Sequence, residues 1–142
     1  MKKRIIIFSL IAIIIIGVVS IDVAIYNSNS SYIRVTYNPT YIYIEAKYLS
    51  SKLEYNAIKD VSIKETEYGN IRLDGFSFNN CEVGVFKNEN MGSYISYVSK
   101  KSKISVVVNV KPEFYASSYF VIALSSVEEN NNLFEYLNNK IT

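Results

Sequence analysis

The chain has 142 residues, one domain's worth, and 49% apolar with 20% charged residues is the balance of a globular protein. The absence of histidine excludes an imidazole base, a His-dependent triad and a His-ligated metal, and a single cysteine excludes a disulfide framework and a Cys-cluster metal site. The net charge of +2 misleads until the chain is divided: without the three basic residues at the amino terminus and Asp22, twelve basic and twelve acidic residues remain.

Those three residues, Lys2, Lys3 and Arg4, precede Ile5 to Ile21, a charge-free run of about 26 Å as a helix, close to the hydrocarbon thickness of a bilayer. The run is apolar all round, unlike a surface helix with one buried stripe. A cleaved secretory signal would need Val18 and Ser20 as its −3 and −1 residues, and the run exceeds an ordinary signal core. An uncleaved anchor fits better. The expected division is a basic tail over 1–4, a transmembrane helix over 5–26, a polar tether over 27–31 and a folded domain over 32–142. Basic residues before the span and none after it until Arg34 place the amino terminus in the cytoplasm and the domain outside the cell.

Period-two alternation then dominates. Residues 32–37 and 41–44 flank the turn signal Asn38-Pro39-Thr40 and read as a hairpin. Residues 53–57 read as a short strand, 58–60 as a turn, and 61–65, 93–99, 103–110 and 119–124 as further strands, the last of them central. Ser126-x-x-Glu129 is a capping box, followed by Leu133, Phe134, Leu137 and Ile141 on one side of a helix. About seven strands and one amphipathic helix predict a mainly β domain: a small antiparallel barrel, or two orthogonal sheets, capped by the helix.

Few residues suggest chemistry. Glu65 and Glu67 share a strand face, but two carboxylates at a strand end are ordinary solubilising charge. Ser99-Lys100 and Ser102-Lys103 point to opposite faces if extended, which disfavours a Ser-Lys dyad. Asp60, Glu65, Glu67 and Asp74 lack the alternating spacing of a calcium loop. Cys81 has no activating partner in sequence and reads as an inert thiol. Lys100, Lys101 and Lys103 read as a solvated turn. No cofactor and no metal is implied, and a neutral domain has no overall attraction for nucleic acid.

The segment 69–97 stands apart. It holds Gly69, Gly75, Gly84 and Gly92, with Tyr68, Phe76, Phe78, Phe86, Tyr94 and Tyr97 in or beside it. Arg72 and Asp74 alternate there with Leu73, which should point inward. Two readings stay open: the rings close the end of the sheet as a local core, or they face a protein partner or the membrane surface.

The order Arg72-x-x-Gly75-Phe76, Gly84-x-Phe86, Met91-Gly92-Ser93-Tyr94, apolar strand 104–110 and strand 119–124 before a terminal helix resembles the bacterial pleckstrin-homology-like (PH-like) family, over roughly residues 32–140. The resemblance implies a PH-like fold in a membrane setting, with a glycine-aromatic insertion and no assigned reaction. The first hairpin turn has no basic residue, so phosphoinositide binding is not expected to carry over. The expected role is a non-enzymatic, single-pass membrane module binding a protein partner through Tyr68, Arg72, Phe76, Phe78, Phe86, Tyr94 and Tyr97. The alternative is a carrier with an apolar pocket for a small molecule or lipid.

Overall fold

The structure is a computed structural model that describes residues 33–68, 70–78 and 80–141, without the side chain of Phe78. The expected tail, transmembrane helix and tether lie outside the described residues. Among the described residues no helix is long and apolar enough to cross a membrane.

Alternating apolar residues build nine strands among the described residues. Strands β1 (Arg34–Tyr37), β2 (Tyr41–Ala46) and β3 (Leu49–Glu54) form an antiparallel three-stranded sheet in that order. A 3-10 turn, Tyr55–Ala57, leads into the second sheet. That sheet contains β4 (Ile58–Glu65), β5 (Ile71–Phe78), β6 (Cys81–Asn88), β7 (Gly92–Ser99), β8 (Ile104–Val110) and β9 (Tyr119–Ala123), in the spatial order β4-β8-β9-β7-β6-β5. All its pairings are antiparallel except β7 with β9, which run parallel, so the chain leaves β7, builds β8 and returns between the two. Helix α1 (Val127–Ile141) ends the domain.

The inner faces meet in one core. Ile42 and Ile44 of β2 and Leu53 of β3 are fully buried with Val83, Tyr97, Val106, Val108, Phe120 and Ile122 of the large sheet. Each such side chain withdrawn from water contributes about 1.5–3 kcal/mol. Ser51 and Tyr97 share a hydrogen bond of 2.8 Å that ties the sheets together.

Helix α1 packs against β4 and β8 and sends Leu133 and Leu137 into the same core. Its start is the expected capping box: the Ser126 hydroxyl accepts the Glu129 amide at 3.1 Å, while the Glu129 carboxylate accepts the Ser126 amide at 3.1 Å. One turn in, the fully buried Asn130 accepts the Leu124 amide at 2.8 Å and donates to Ser102 Oγ, Leu124 O and Ser126 O. A single amide therefore joins the helix start, the exit of β9 and the β7–β8 turn. The other end of the helix is held by tyrosines. The Tyr55 hydroxyl donates to the carbonyls of Asn38 and Tyr41 and meets the Tyr136 hydroxyl at 3.1 Å, and Tyr37 lies edge-on to Tyr136 at 4.5 Å.

Four expectations are corrected. The domain has nine described strands rather than seven, in two sheets without a closed barrel. The strand expected at 53–57 lies at 49–54. Its inward positions are Leu49, Ser51 and Leu53, and the serine, which bonds Tyr97, breaks the apolar alternation. Residues 58–60 begin β4, where a register shift between Ile58 and Asp60 mimics a turn in the sequence. The segment read as an insertion is largely the hairpin β5–β6, an integral part of the large sheet.

Candidate functional site

Strands β5 and β6 are drawn together at one point. Gly75 (φ +101°) pairs with Gly84 (φ +142°). A Cβ on Gly75 would lie 2.3 Å from the Val83 carbonyl oxygen, and one on Gly84 would lie 2.2 Å from that of Asp74. Neither position admits a side chain, and both φ values favour glycine. One residue earlier, the register shifts between Arg72 and Asp74, leaving Leu73 as the extra residue of a bulge.

The aromatic residues of the segment are divided by strand alternation between the two faces of the large sheet. Phe86 and Tyr94 lie opposite each other on the outer face, with ring centroids 6.2 Å apart, and are buried with Val98, Val107, Val121 and Ala123. Met91 and Tyr119 pack against this group. Tyr97 points the other way into the main core and is fully buried. Phe76 is partly buried against that core, and Tyr48 meets it edge-on at 5.2 Å. The side chain of Phe78 lies outside the described residues. Phe86, Tyr94 and Tyr97 thus stabilise the sheet and are withdrawn from any surface contact.

Burial raises the Tyr94 hydroxyl to about 12, with the Asn70 hydrogen bond acting in the opposite sense. Burial likewise pushes Tyr97 up to about 12, opposed by its bond to Ser51. Neither is a base near neutral pH.

The outer face carries a small cavity of about 40 Å³ bounded by Glu67, Asn70, Asn88, Met91, Tyr94 and Val107. This is room for a water or two, not for an organic substrate. Among the described residues there is no group of three or more acidic or cysteine side chains able to hold a metal. The lysine turn is partly engaged: Lys100 donates to Ser77 at 3.0 Å and lies 3.8 Å from Glu82, while Lys101 and Lys103 are exposed. Cys81 is buried in the core.

Three of the sequence-predicted residues remain accessible or half so: Tyr68, Arg72 and Phe76. Tyr68 straps its loop to the lysine turn by donating to Ser102 O at 2.5 Å. The Arg72 side chain is exposed and makes no hydrogen bond or ion pair among the described residues. It does not pair with Asp74, whose Oδ1 instead accepts the Gly75 amide at 2.7 Å. Leu73, expected inside, is 54% exposed, and Ile71 is 67% exposed. The bulge explains the reversal, because the extra residue breaks the two-residue period. The sequence signal was present in Gly75 and Gly84, glycines inside apparent strands, which mark bulges and close backbone approaches.

Strand β5 is the margin of the large sheet away from the helix. Exposed apolar residues at an edge strand form a surface able to accept another chain. Two packed sheets with a terminal helix are the architecture of a PH-like fold. A family model described as bacterial PH domain matches residues 33–118, more than half of the chain, and the chain belongs to that family. No curated protein and no solved structure matches it.

Proposed function

We propose that this protein is a membrane-anchored, non-enzymatic interaction module whose PH-like domain docks a protein partner on the β5 edge. The observation that carries this reading is the exposure of Ile71 and Leu73 on the marginal strand of the large sheet, beside Arg72, which is exposed too. Water-exposed branched aliphatics on an edge are stabilised when a second chain covers them. The anchor part of the proposal rests on the apolar run of residues 5–21 and its basic flank.

The carrier alternative finds less support. The space between the sheets is filled by Tyr97, Phe120, Ile42, Ile44, Leu53 and Ile122, all without solvent exposure. The larger hollows among the described residues, of about 300–350 Å³, lie open at the surface and not enclosed between the sheets, one of them beside β5 at Ile71 and Lys87.

The test is capture of partners from solubilised membranes with the full chain and with Ile71→Lys/Leu73→Lys. The reading expects at least one specific partner to be lost with the double substitution. An identical partner set for both forms removes β5 from the account. Protease treatment of intact cells checks the placement: a domain outside the membrane is digested, and protection overturns that placement.

A further inference from the structure

We infer that the end of the domain at which the chain enters is a lipid-contacting surface, with Lys47 and Tyr48 of the β2–β3 turn at the headgroup level of the bilayer that holds the anchor. This rests on reading the apolar run as an anchor and goes further by assigning the bilayer a surface of the folded domain. The registers define that end. Arg34 pairs with Glu45 and Ala46 with Leu49, so the chain enters β1 beside the turn Lys47-Tyr48. Tyr48 meets Phe76 edge-on at 5.2 Å, close to the end of β5. The Lys100 amide donates to Asn80 O at 2.9 Å, which brings the β5–β6 and β7–β8 turns together there. Asn130 joins the β7–β8 turn to the start of α1, and Leu124 and Glu129 border one open hollow with Ile33. Entry point, three turns and helix start therefore share one end. Tyr55 gathers the first hairpin turn and Tyr136 at the opposite end. The β8–β9 loop, with Phe114, begins at that opposite end, where the Lys111 amide donates to Ala57 O at 2.9 Å.

The entry end has the chemistry of a bilayer interface. Tyr48 is 58% exposed, and Val127, at the start of α1, is 46% exposed. Lys47 lies over the Tyr48 ring with its Nζ 5.4 Å from the centroid, and Lys100 and Lys101 are exposed on the neighbouring turn. A tyrosine ring puts an apolar body among the upper acyl chains and its hydroxyl in water, while a lysine stem lies along apolar surface and its ammonium reaches the phosphates. Glu45, Glu128 and Glu129, exposed at the same end, offset the lysine charge, so the contact does not require anionic lipid. The tether selects this end over the other. Residues 27–32 reach at most about 20 Å when fully extended and about 13 Å as a flexible chain. Strands of eight residues carry the opposite end about 25 Å further off. So few side chains would hold a free domain weakly, and tethering raises the effective concentration of the bilayer at this surface.

The chain has no tryptophan, so a single introduced one reports its own surroundings. The full chain with Tyr48→Trp, reconstituted into phosphatidylcholine vesicles, is compared with the full chain carrying Phe114→Trp, a position 43% exposed at the opposite end. The Tyr48→Trp emission should shift to the blue on reconstitution and lose intensity when the lipids are brominated near the headgroup end of their acyl chains. The Phe114→Trp emission should do neither and should stay open to quenching by aqueous iodide. Packing on Phe76 alone shields the ring from iodide but leaves it indifferent to brominated lipid, so the lipid quenching separates bilayer contact from a structural role. Thermal melts by circular dichroism verify that both variants are folded, as expected for exposed positions. Tyr48→Trp emission that ignores the brominated lipid, or equal quenching at the two positions, overturns the lipid-facing end. Vesicle flotation tells the two readings apart. A chain that floats with the vesicles and resists carbonate extraction, yet shows no lipid quenching at position 48, keeps its anchor and loses only the lipid-facing end. A chain that does not float loses both.

Discussion

Replacing Asn130 by alanine should be among the most damaging single changes in the domain. Its side chain is fully buried and makes four hydrogen bonds, to Leu124 N, Leu124 O, Ser102 Oγ and Ser126 O, at 2.7–3.2 Å. Alanine leaves the amide and the carbonyl of Leu124 without these partners at a buried position, while Ser126 O retains the Asn130 amide and Ser102 Oγ still donates to Ile104 O. Two unsatisfied buried groups at about 1–2 kcal/mol each predict a loss of about 2–4 kcal/mol, a large share of a stability of order 5–15 kcal/mol. Asn130→Asp keeps the acceptor for Leu124 N but turns an ionised oxygen toward two carbonyls. It should therefore be worse than alanine at pH 7 and recover toward acid pH, where the protonated carboxyl again donates. Urea unfolding of the detergent-solubilised full chain, followed by far-ultraviolet circular dichroism, measures both. A change below about 0.5 kcal/mol for Asn130→Ala, in the range of an ordinary surface substitution, would refute the assignment of this side chain as the clamp between helix, β9 and the β7–β8 turn.

Gly84→Ala should cost at least 2–3 kcal/mol by the same assay, at roughly the scale of a strained backbone plus a clash, since its Cβ would meet the Asp74 carbonyl oxygen 2.2 Å away at a φ of +142°. Normal stability in that variant would mean that β5 and β6 are not held in contact there. The stability that Tyr94 and Tyr97 contribute by remaining neutral in the fold is fully present below pH 10, the ordinary tyrosine value, and is lost as pH rises toward about 12. Each should add a slope of about 1.4 kcal/mol per pH unit across that window. Tyr97→Phe should flatten the alkaline unfolding curve, and an unchanged slope would contradict the buried, neutral hydroxyl. Ser126→Ala removes the acceptor for the Glu129 amide and should destabilise by about 0.5–2 kcal/mol, read as a lower melting temperature.

Much of the local structure was legible in the sequence because it follows from short-range rules. The capping box at Ser126 and Glu129 needs only a three-residue spacing, and the hairpin across Asn38-Pro39-Thr40 needs only its turn residues, with the Asn38 amide donating to Tyr41 O at 2.9 Å. What escaped were positions where a long-range partner replaces local pattern. Ser51 breaks the apolar alternation of β3 because a tyrosine 46 residues away bonds it. Asn130, a polar residue inside an apolar helix stripe, carries the helix–sheet junction, and the amide reads as surface in sequence because its partners on β9 and the β7–β8 turn are distant. The candidate site shifted for a related reason. Aromatic residues attracted attention, yet Phe86, Tyr94 and Tyr97 are buried, while the aliphatics Ile71 and Leu73 face solvent.

Composition and pattern alone determined that this chain carries no imidazole or cysteine-cluster chemistry, that its body is neutral, and that it alternates into strands before a capped helix. Those properties are sums over residues or depend on neighbours a few positions apart. Which strand lies at the margin, which face of the sheet each ring occupies, and whether Leu73 points in or out were decided only by the tertiary structure. The reason is that the bulge beside the Gly75–Gly84 contact shifts the side-chain period by one residue, and such a shift exists only once β5 and β6 lie against each other.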